Sequence, residues 1–382
     1  MKRLNVEKLR AAIDARVETD IAETRVGGAE VLVRQNGEVV FAKRYGVRRV
    51  GGEPLGENEI YRLASMTKPV TACAVGIEWG RGRLELDDPI TKFLPEFAEM
   101  TVAREENGQP VADHPACRLI TVRDLLNHAS GIGTWELGCK AVAHMTSEDR
   151  VDMKTAASFY AKCLLGYDPG TQCTYSPTAS FDVAARIVEI TSGMDIHEYL
   201  RKNIFEPLGM NDTTTIPTED QWKRTITMYN RSEAGEPLNA DNYDHVVFLR
   251  APKEYFAGGA GLMSTAADYS RFAEMLLNDG KAPDGRQVVP MGWIRMMQLP
   301  QVPVDIMSGS MRWGLGVRVI VNDQNRLPDG CFGWSGAFGT HFWVDPANHI
   351  TAVYMKNSLY DGGSGAETAA QFEEDVVGAL ED

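Results

Sequence analysis

At 382 residues and 43% hydrophobic content, the chain is long enough to bury a large core, as one big domain or two lobes, and is neither disordered nor fibrous. A net charge of −14 and a pI near 5.1 argue against nucleic acid and anionic membrane surfaces as partners, since both repel an acidic protein. Met1-Lys2-Arg3-Leu4 could open a signal peptide, but Asn5, Glu7, Lys8 and Arg10 follow at once and no run of about 18 apolar residues occurs, so a soluble, cytoplasmic protein is expected.

In chain order, Val6, Leu9, Ile13, Val17 and Ile21 recur at spacings of three and four, which predicts an amphipathic helix over Asn5 to Thr24. Ala29 to Val33 and Val39 to Tyr45 read as two strands joined at Asn36-Gly37, a strong hairpin signal. Next comes Tyr61 to Val70, where Ser65 and Lys68 form the only Ser-x-x-Lys of the chain and an apolar run continues to Ile77. If Ser65 starts that helix, the two side chains share a face one turn apart. A serine hydroxyl needs a base within hydrogen-bond reach, and a lysine near a helix N-terminus can serve if its surroundings favour the neutral amine. The plainer alternative is an ordinary N-cap serine and a solvated lysine.

Thr101 to Pro115 is polar and reads as a surface excursion, after which Thr121 and Asp124 form a capping box for a helix ending near Asn127. His128 beside Ser130 invites a catalytic reading. The favoured one is structural, a histidine at a helix C-terminus stabilising the dipole, with Ser130-Gly131 as the stop. Helical patterns over Met153 to Leu165 and Ser180 to Thr191 flank the loop from Pro169 to Pro177, where Tyr175 is either a half-buried aromatic or a phenol aimed at a site.

His197 to Met210 looks helical until Pro207-Leu208-Gly209, and Asn211 to Glu254 is polar with little periodicity, a substrate-covering loop or a solvated insertion. Ser264 is the expected N-cap of a helix over Thr265 to Asn278. Gly314 to Val321, Cys331 to Trp334, Thr340 to Val344 and Ile350 to Met355 read as strands, linked by turns at Pro328-Asp329-Gly330 and Asp345-Pro346-Ala347-Asn348, before a last helix near Ala366 to Leu380. Strands at both chain ends with helices between them predict an α+β fold: one antiparallel sheet flanked by N- and C-terminal helices, with an inserted, mostly helical lobe. The lobes are expected at about 1–62 plus 255–382 and about 63–254 of a single catalytic domain. The six cysteines show no Cys-x-x-Cys pairing and read as free thiols, and without a His-Glu-x-x-His neither a metal nor another cofactor is expected.

Together these islands resemble the serine β-lactamase and penicillin-binding superfamily, especially its class C-like branch with the D,D-peptidases and family VIII carboxylesterases. Ser65-Met66-Thr67-Lys68 is similar to the nucleophile motif, Tyr175-Ser176-Pro177 stands where that branch carries Tyr-x-Asn, and Gly333-Trp334-Ser335-Gly336 stands where Lys-Thr-Gly or His-x-Gly is found. Leu125 to Gly131 resembles the family's Leu-Leu-x-His-x-Ser-Gly, and Trp313-Gly314-Leu315-Gly316 is a further supporting match. The resemblance implies a serine hydrolase in which Ser65 attacks a carbonyl to form an acyl-enzyme, while Lys68 and Tyr175 share proton transfer. The backbone N–H groups of Ser65 and Ala337 would hold the oxyanion. Trp334, Ser335 and Gly336 would line the substrate, a small-molecule ester or amide.

Two departures bear on that substrate. Pro177 lacks the amide of an asparagine, and Trp334 replaces a cation or imidazole, so a carboxylate-bearing β-lactam or peptidoglycan stem would be recognised poorly. A tryptophan here is similar to the family VIII esterases and would offer an apolar wall. An esterase is therefore ranked above a β-lactamase or D,D-peptidase. A catalytically weak binding protein is the alternative of another class. An α/β-hydrolase is disfavoured, because Gly333 to Ala337 and Gly362 to Ala366 each fall one residue short of Gly-x-Ser-x-Gly.

Overall fold

Asn5 accepts the Lys8 N–H and so starts helix α1 (Val6–Ala22), whose Leu9, Ile13 and Val17 are buried while Val6, first in the predicted stripe, is exposed. Strands β1 (Gly28–Gln35) and β2 (Glu38–Gly46) follow. Their two-residue turn has φ of 55° at Asn36 and 80° at Gly37, the positive pair of a type I′ turn. Further along lie α2 (Thr67–Gly80), α3 (Val122–Leu126), α4 (Met153–Tyr160), α5 (Ala179–Ser192) and α6 (Ala266–Leu277), with shorter helical turns between them. The chain closes with β3 (Met311–Trp313), β4 (Arg318–Ile320), β5 (Phe332–Ser335), β6 (His341–Asp345), β7 (Ile350–Lys356) and α7 (Glu367–Gly378). This computed structural model describes residues 1–231, 233, 235–240, 254–307, 310–321, 326–356, 358–363 and 366–382.

The strands form one seven-stranded antiparallel sheet in the order β3-β4-β5-β6-β7-β1-β2. The two ends of the chain meet where β7 pairs with β1, in register from Ile350 opposite Gln35 to Lys356 opposite Ala29. Alternation along the strands divides the sheet into two faces. Val31, Val33, Trp343 and Tyr354 pack with Leu9 and Ile13 of α1 and Phe372 and Val376 of α7. Phe342, Val344, Val353 and Met355 turn the other way, into the core that holds Tyr269 and Phe272 of α6 and most of α2 and α5.

Several sequence expectations need correction. The polar stretch is a β-hairpin, Thr101–Glu106 against Gln109–Pro115, mostly exposed on both faces and therefore lacking the hydrophobic alternation that betrays a strand. Gly314 to Val321 is not one strand: Gly314–Val317 is the turn of a hairpin between β3 and β4, closed by the Gly314 N–H on the Val317 carbonyl at 3.0 Å. Thr265, not Ser264, caps α6 by accepting the Asp268 N–H, while the Ser264 hydroxyl pairs with Thr213. The helix expected from His197 is continuous to Leu208 but widens to π geometry over Arg201–Phe205. Of Asn211 to Glu254, positions 232, 234 and 241–253 lie outside the described residues, as do Ser364 and Gly365 of the second near-miss elbow; the rest includes a capped helix, Glu219–Lys223. All six cysteines are unpaired.

Candidate active site

The Ser65 turn is fixed from three sides before its chemistry is considered. The Leu63 N–H bonds the Leu262 carbonyl at 3.0 Å, the Leu63 carbonyl accepts Thr340 Oγ1 at 3.0 Å, and the Met66 carbonyl accepts the Tyr269 hydroxyl at 2.7 Å. Ala64, buried and with a side chain, sits at φ +45°, a left-handed conformation that persists only where surrounding contacts enforce it. Ser65 belongs to a tight 3₁₀ turn, Ala64–Met66, and the α-helix starts at Thr67, so Ser65 precedes α2 rather than opening it. Every residue from Thr67 to Glu78 is buried, which explains the unbroken apolar run.

Lys68, on the first turn of α2, is wholly buried and its ammonium has three acceptors: the Pro177 carbonyl at 2.5 Å, the Gly259 carbonyl at 2.9 Å and Ser65 Oγ at 3.3 Å. An ammonium has three N–H bonds, so this set uses all of them. The preceding residue, Gly258, is held in turn by α2 and α5: Thr71 Oγ1 donates to its carbonyl at 2.7 Å, and Asp182 accepts its N–H at 2.8 Å. Asp182 also accepts the Tyr160 and Tyr255 hydroxyls, at 2.9 and 2.8 Å. Its complete burial pushes the carboxyl up to about 6 against the pull of these hydrogen bonds.

Tyr175 comes from the loop ahead of α5 and places Oη 2.6 Å from Ser65 Oγ. The indole N–H of Trp334 reaches the same Oη at 3.3 Å. The phenol ring is boxed by aromatics: Trp313 stacked at 5.7 Å between centroids, Trp135 edge-on at 5.5 Å and His128 at 4.7 Å, with the Lys68 ammonium 4.8 Å from its centroid. The Tyr175 carbonyl accepts the Trp135 N–H at 2.9 Å, which fastens the two loops together.

His128 departs from its expected role. It is completely buried, and that burial, with the nearby Lys68 charge, holds the imidazole far below its usual titration range. A neutral ring cannot act as the cation at a helix C-terminus. Instead Nδ1 accepts the Ser176 N–H at 3.1 Å, which assigns the proton to Nε2, and the ring backs Tyr175 and Trp313. Ser130 Oγ lies 2.8 Å from Ser180 Oγ, which ties this segment to the first turn of α5. This histidine-serine segment positions the loop that carries Tyr175.

On the sheet side, a Cβ at Gly336 would stand 2.2 Å from the Leu63 carbonyl and 2.3 Å from Thr340 Oγ1, so only glycine lets β5 close against the Ser65 turn. Gly316, at φ +71°, meets α2 in the same way: a Cβ there would lie 2.8 Å from that of Ala72. Ala337 follows Gly336 in the turn to β6 and is exposed. The Ser335 hydroxyl is engaged elsewhere, 2.7 Å from His341 Nδ1, with His341 Nε2 3.0 Å from Glu373 on α7. Burial would raise the Glu373 carboxyl, but His341 and Arg318 outweigh it and hold it at about 2.

The structure thus brings Ser65, Lys68, Tyr175 and Trp334 together, packs Gly336 behind Ser65, and turns the Ser335 side chain toward α7. Sequence reasoning missed the Pro177 and Gly259 carbonyls, since backbone acceptors have no residue-type signal, and it missed Trp135, whose only mark is an isolated aromatic in a loop. Among the described residues no group of His, Cys, Asp and Glu could hold a metal ion, and no helix is long and apolar enough to cross a membrane.

The chain is similar to Protein Rv1367c of Mycobacterium tuberculosis, 31% identical over 352 residues that cover 86% of this chain and 85% of that protein. Esterase EstB of Burkholderia gladioli is 28% identical over 393 aligned positions, covering 96% of this chain and 95% of the esterase. Among solved structures, EstCE1, described as a hydrolase with promiscuous acyltransferase activity, shares the fold with a TM-score of 0.81 at 21% identity, covering 97% of this chain and 99% of that one. The Beta-lactamase family profile matches residues 10–374, and the chain belongs to the Beta-lactamase family.

Proposed function

We propose that this protein is a serine carboxylesterase acting on small neutral esters through an acyl-enzyme on Ser65. The observation that carries the reading is the convergence of Tyr175 Oη, at 2.6 Å, and Lys68 Nζ, at 3.3 Å, on Ser65 Oγ. An oxygen so placed can lose its proton to Tyr175 Oη, with a Lys68 N–H directed at it, as its lone pair forms a bond to the substrate carbonyl carbon. The carbonyl π pair moves to oxygen, where the N–H groups of Ser65 and Ala337 would receive it; two fixed donors in a water-poor site lower such a barrier by several kcal/mol. Re-forming the carbonyl expels the alkoxide, which takes the proton back, and water repeats the sequence on the acyl-enzyme. On this reading the chain is one catalytic domain. The part from about 63 to 254 supplies Ser65, Lys68 and Tyr175, and the parts at about 1–62 and 255–382 supply Trp334 on β5 and Gly336 and Ala337 just after it.

The substrate preference rests on what surrounds the three. Position 334 presents no cation to a substrate carboxylate, and Pro177 offers no side-chain amide. The indole of Trp135, 59% exposed beside Tyr175, is a flat apolar surface at the mouth of the site. Similarity to Esterase EstB points the same way.

The test is direct. Purified protein is expected to hydrolyse p-nitrophenyl acetate or butyrate faster than a chromogenic cephalosporin, to lose about a thousandfold or more in kcat on Ser65→Ala, and to gain the mass of a fluorophosphonate on Ser65. Unchanged turnover in Ser65→Ala would sink the assignment, faster cephalosporin turnover would reverse the substrate order, and no labelling with no turnover would leave a binding protein.

A further inference from the structure

Trp334 occupies the position where the resemblance places a lysine or histidine, and its expected contribution was an apolar wall. The structure leaves little wall to offer: Trp334 is 5% exposed, its ring closed in edge-on by Trp313 with centroids 4.5 Å apart. What it does offer is the indole N–H, 3.3 Å from Tyr175 Oη. Among the described residues, Ser65 and Trp334 are the hydrogen-bond partners of that oxygen. The other polar groups facing Tyr175 are committed elsewhere. Lys68 lies over the ring with its N–H bonds on Ser65, Pro177 and Gly259, and neutral His128 uses Nδ1 for the Ser176 N–H.

An indole N–H donates and cannot accept a proton, so its polarity toward Oη is the same at every stage of a reaction. We propose that Trp334 is a catalytic residue whose N–H stabilises negative charge on Tyr175 Oη, a neutral directed donor standing in for a cation. The inference rests on the reading of Ser65 and Tyr175 given above. In the first step the Ser65 O–H bond breaks, its proton binds a lone pair of the anionic Oη, the Oγ pair forms the bond to the carbonyl carbon, and the π pair moves to the carbonyl oxygen. In the second, the carbonyl re-forms, the bond to the alkoxy group breaks with its pair on that oxygen, and the oxygen takes the proton from Oη. Oη is anionic at the start and end of this half-cycle, and the Trp334 N–H favours it most there. A cation at this position would do the same but would also draw substrate carboxylates. The indole separates the two effects, which suits neutral esters.

The experiment replaces the N–H without removing the ring. Trp334→Phe, and β-(3-benzothienyl)alanine placed at position 334, which keeps the bicyclic shape and lacks the donor, are assayed on p-nitrophenyl butyrate against pH, alongside Trp334→His, Ser65→Ala and Tyr175→Phe. Below the acid limb both donor-less proteins are expected to lose about 10-fold in kcat, the fraction of anionic Oη given up by a shift of about one pH unit, with KM within about threefold. The acid limb of their kcat/KM profile should move upward by about one pH unit, and Trp334→His should recover part of both changes. Full kcat in the benzothienyl protein below the parent's acid limb, or a lower kcat with an unmoved acid limb, overturns the proposal while leaving Ser65 and Tyr175 in place. Retained turnover in Ser65→Ala or Tyr175→Phe overturns the underlying site reading and this inference with it.

Discussion

His128 touches no reacting atom, yet three features of the site lean on it. Its Nδ1 holds the Ser176 N–H at 3.1 Å and its ring supports Tyr175 and Trp313. His128→Ala should lower stability by about 2–4 kcal/mol, from a cavity plus an unpaired buried N–H, and should reduce kcat more than KM; urea titration and ester kinetics measure both. The same residue sets a pH dependence. Folded His128 resists protonation, whereas the unfolded chain takes a proton near pH 6.5, so its contribution is intact above that pH and is lost as pH falls below it. His128→Asn keeps an acceptor for Ser176 and cannot titrate. Between pH 6.5 and 5 its stability should fall less than the parent's, by up to about 2 kcal/mol. Comparing the two proteins cancels the opposite effect of Asp20 and Asp182, whose carboxyls burial pushes up to about 6. At this scale the sequence was legible where covalent spacing did the placing, as with Ser65 and Lys68. It was opaque where distant loops converge: Tyr175 lies 110 positions from Ser65 and became recognisable only through resemblance.

At the scale of elements, α5 connects core to chemistry through Asp182. Asp182→Ala strips partners from the Tyr160 and Tyr255 hydroxyls and the Gly258 N–H, and should cost about 3 kcal/mol or more. Because Gly259 presents an acceptor to Lys68, the same change should lower kcat in the fraction that stays folded, and Asp182→Asn should be milder on both counts. Thermal unfolding followed by circular dichroism, with ester turnover at 25 °C, tests this; a stability loss with unaltered kcat would separate Asp182 from the site. Elements were readable where local chemistry dictates them: the Asn36-Gly37 turn, the Thr121 capping box and the stripe of α1. The 101–115 hairpin escaped because a strand with two wet faces has no alternation to read, and the β3–β4 hairpin because Gly314 and Gly316 turn the chain inside an apolar run. The Ser264 and Thr265 side chains are chemically alike as caps, and only backbone geometry chose between them.

For the whole molecule, the central fact is that β7 and β1, from opposite ends of the chain, are neighbours in one sheet. Its β5 supplies Trp334, with Gly336 just past its end, while Ser65 and Tyr175 come from segments in between. Urea should therefore abolish turnover and the native tryptophan fluorescence together, in one transition; activity lost well before the fluorescence change would mean that the parts around the site come apart separately. The antiparallel sheet was legible because strands and turn signals alternate at both chain ends. The packing that seats β5 on the Ser65 turn was not, since it depends on a glycine whose missing side chain makes room for a carbonyl.

Buried Lys68 has one further consequence. Two of its three acceptors are amide carbonyls, which do not ionise at any ordinary pH, and the third is the Ser65 hydroxyl. A proton leaving this ammonium along its hydrogen bonds has a single exit, through Ser65 and on to Tyr175 or the substrate, so the wiring around Lys68 is directional. Whatever passes that way, the route to bulk water runs over the very oxygen that carries the acyl group, and closes whenever that oxygen is acylated.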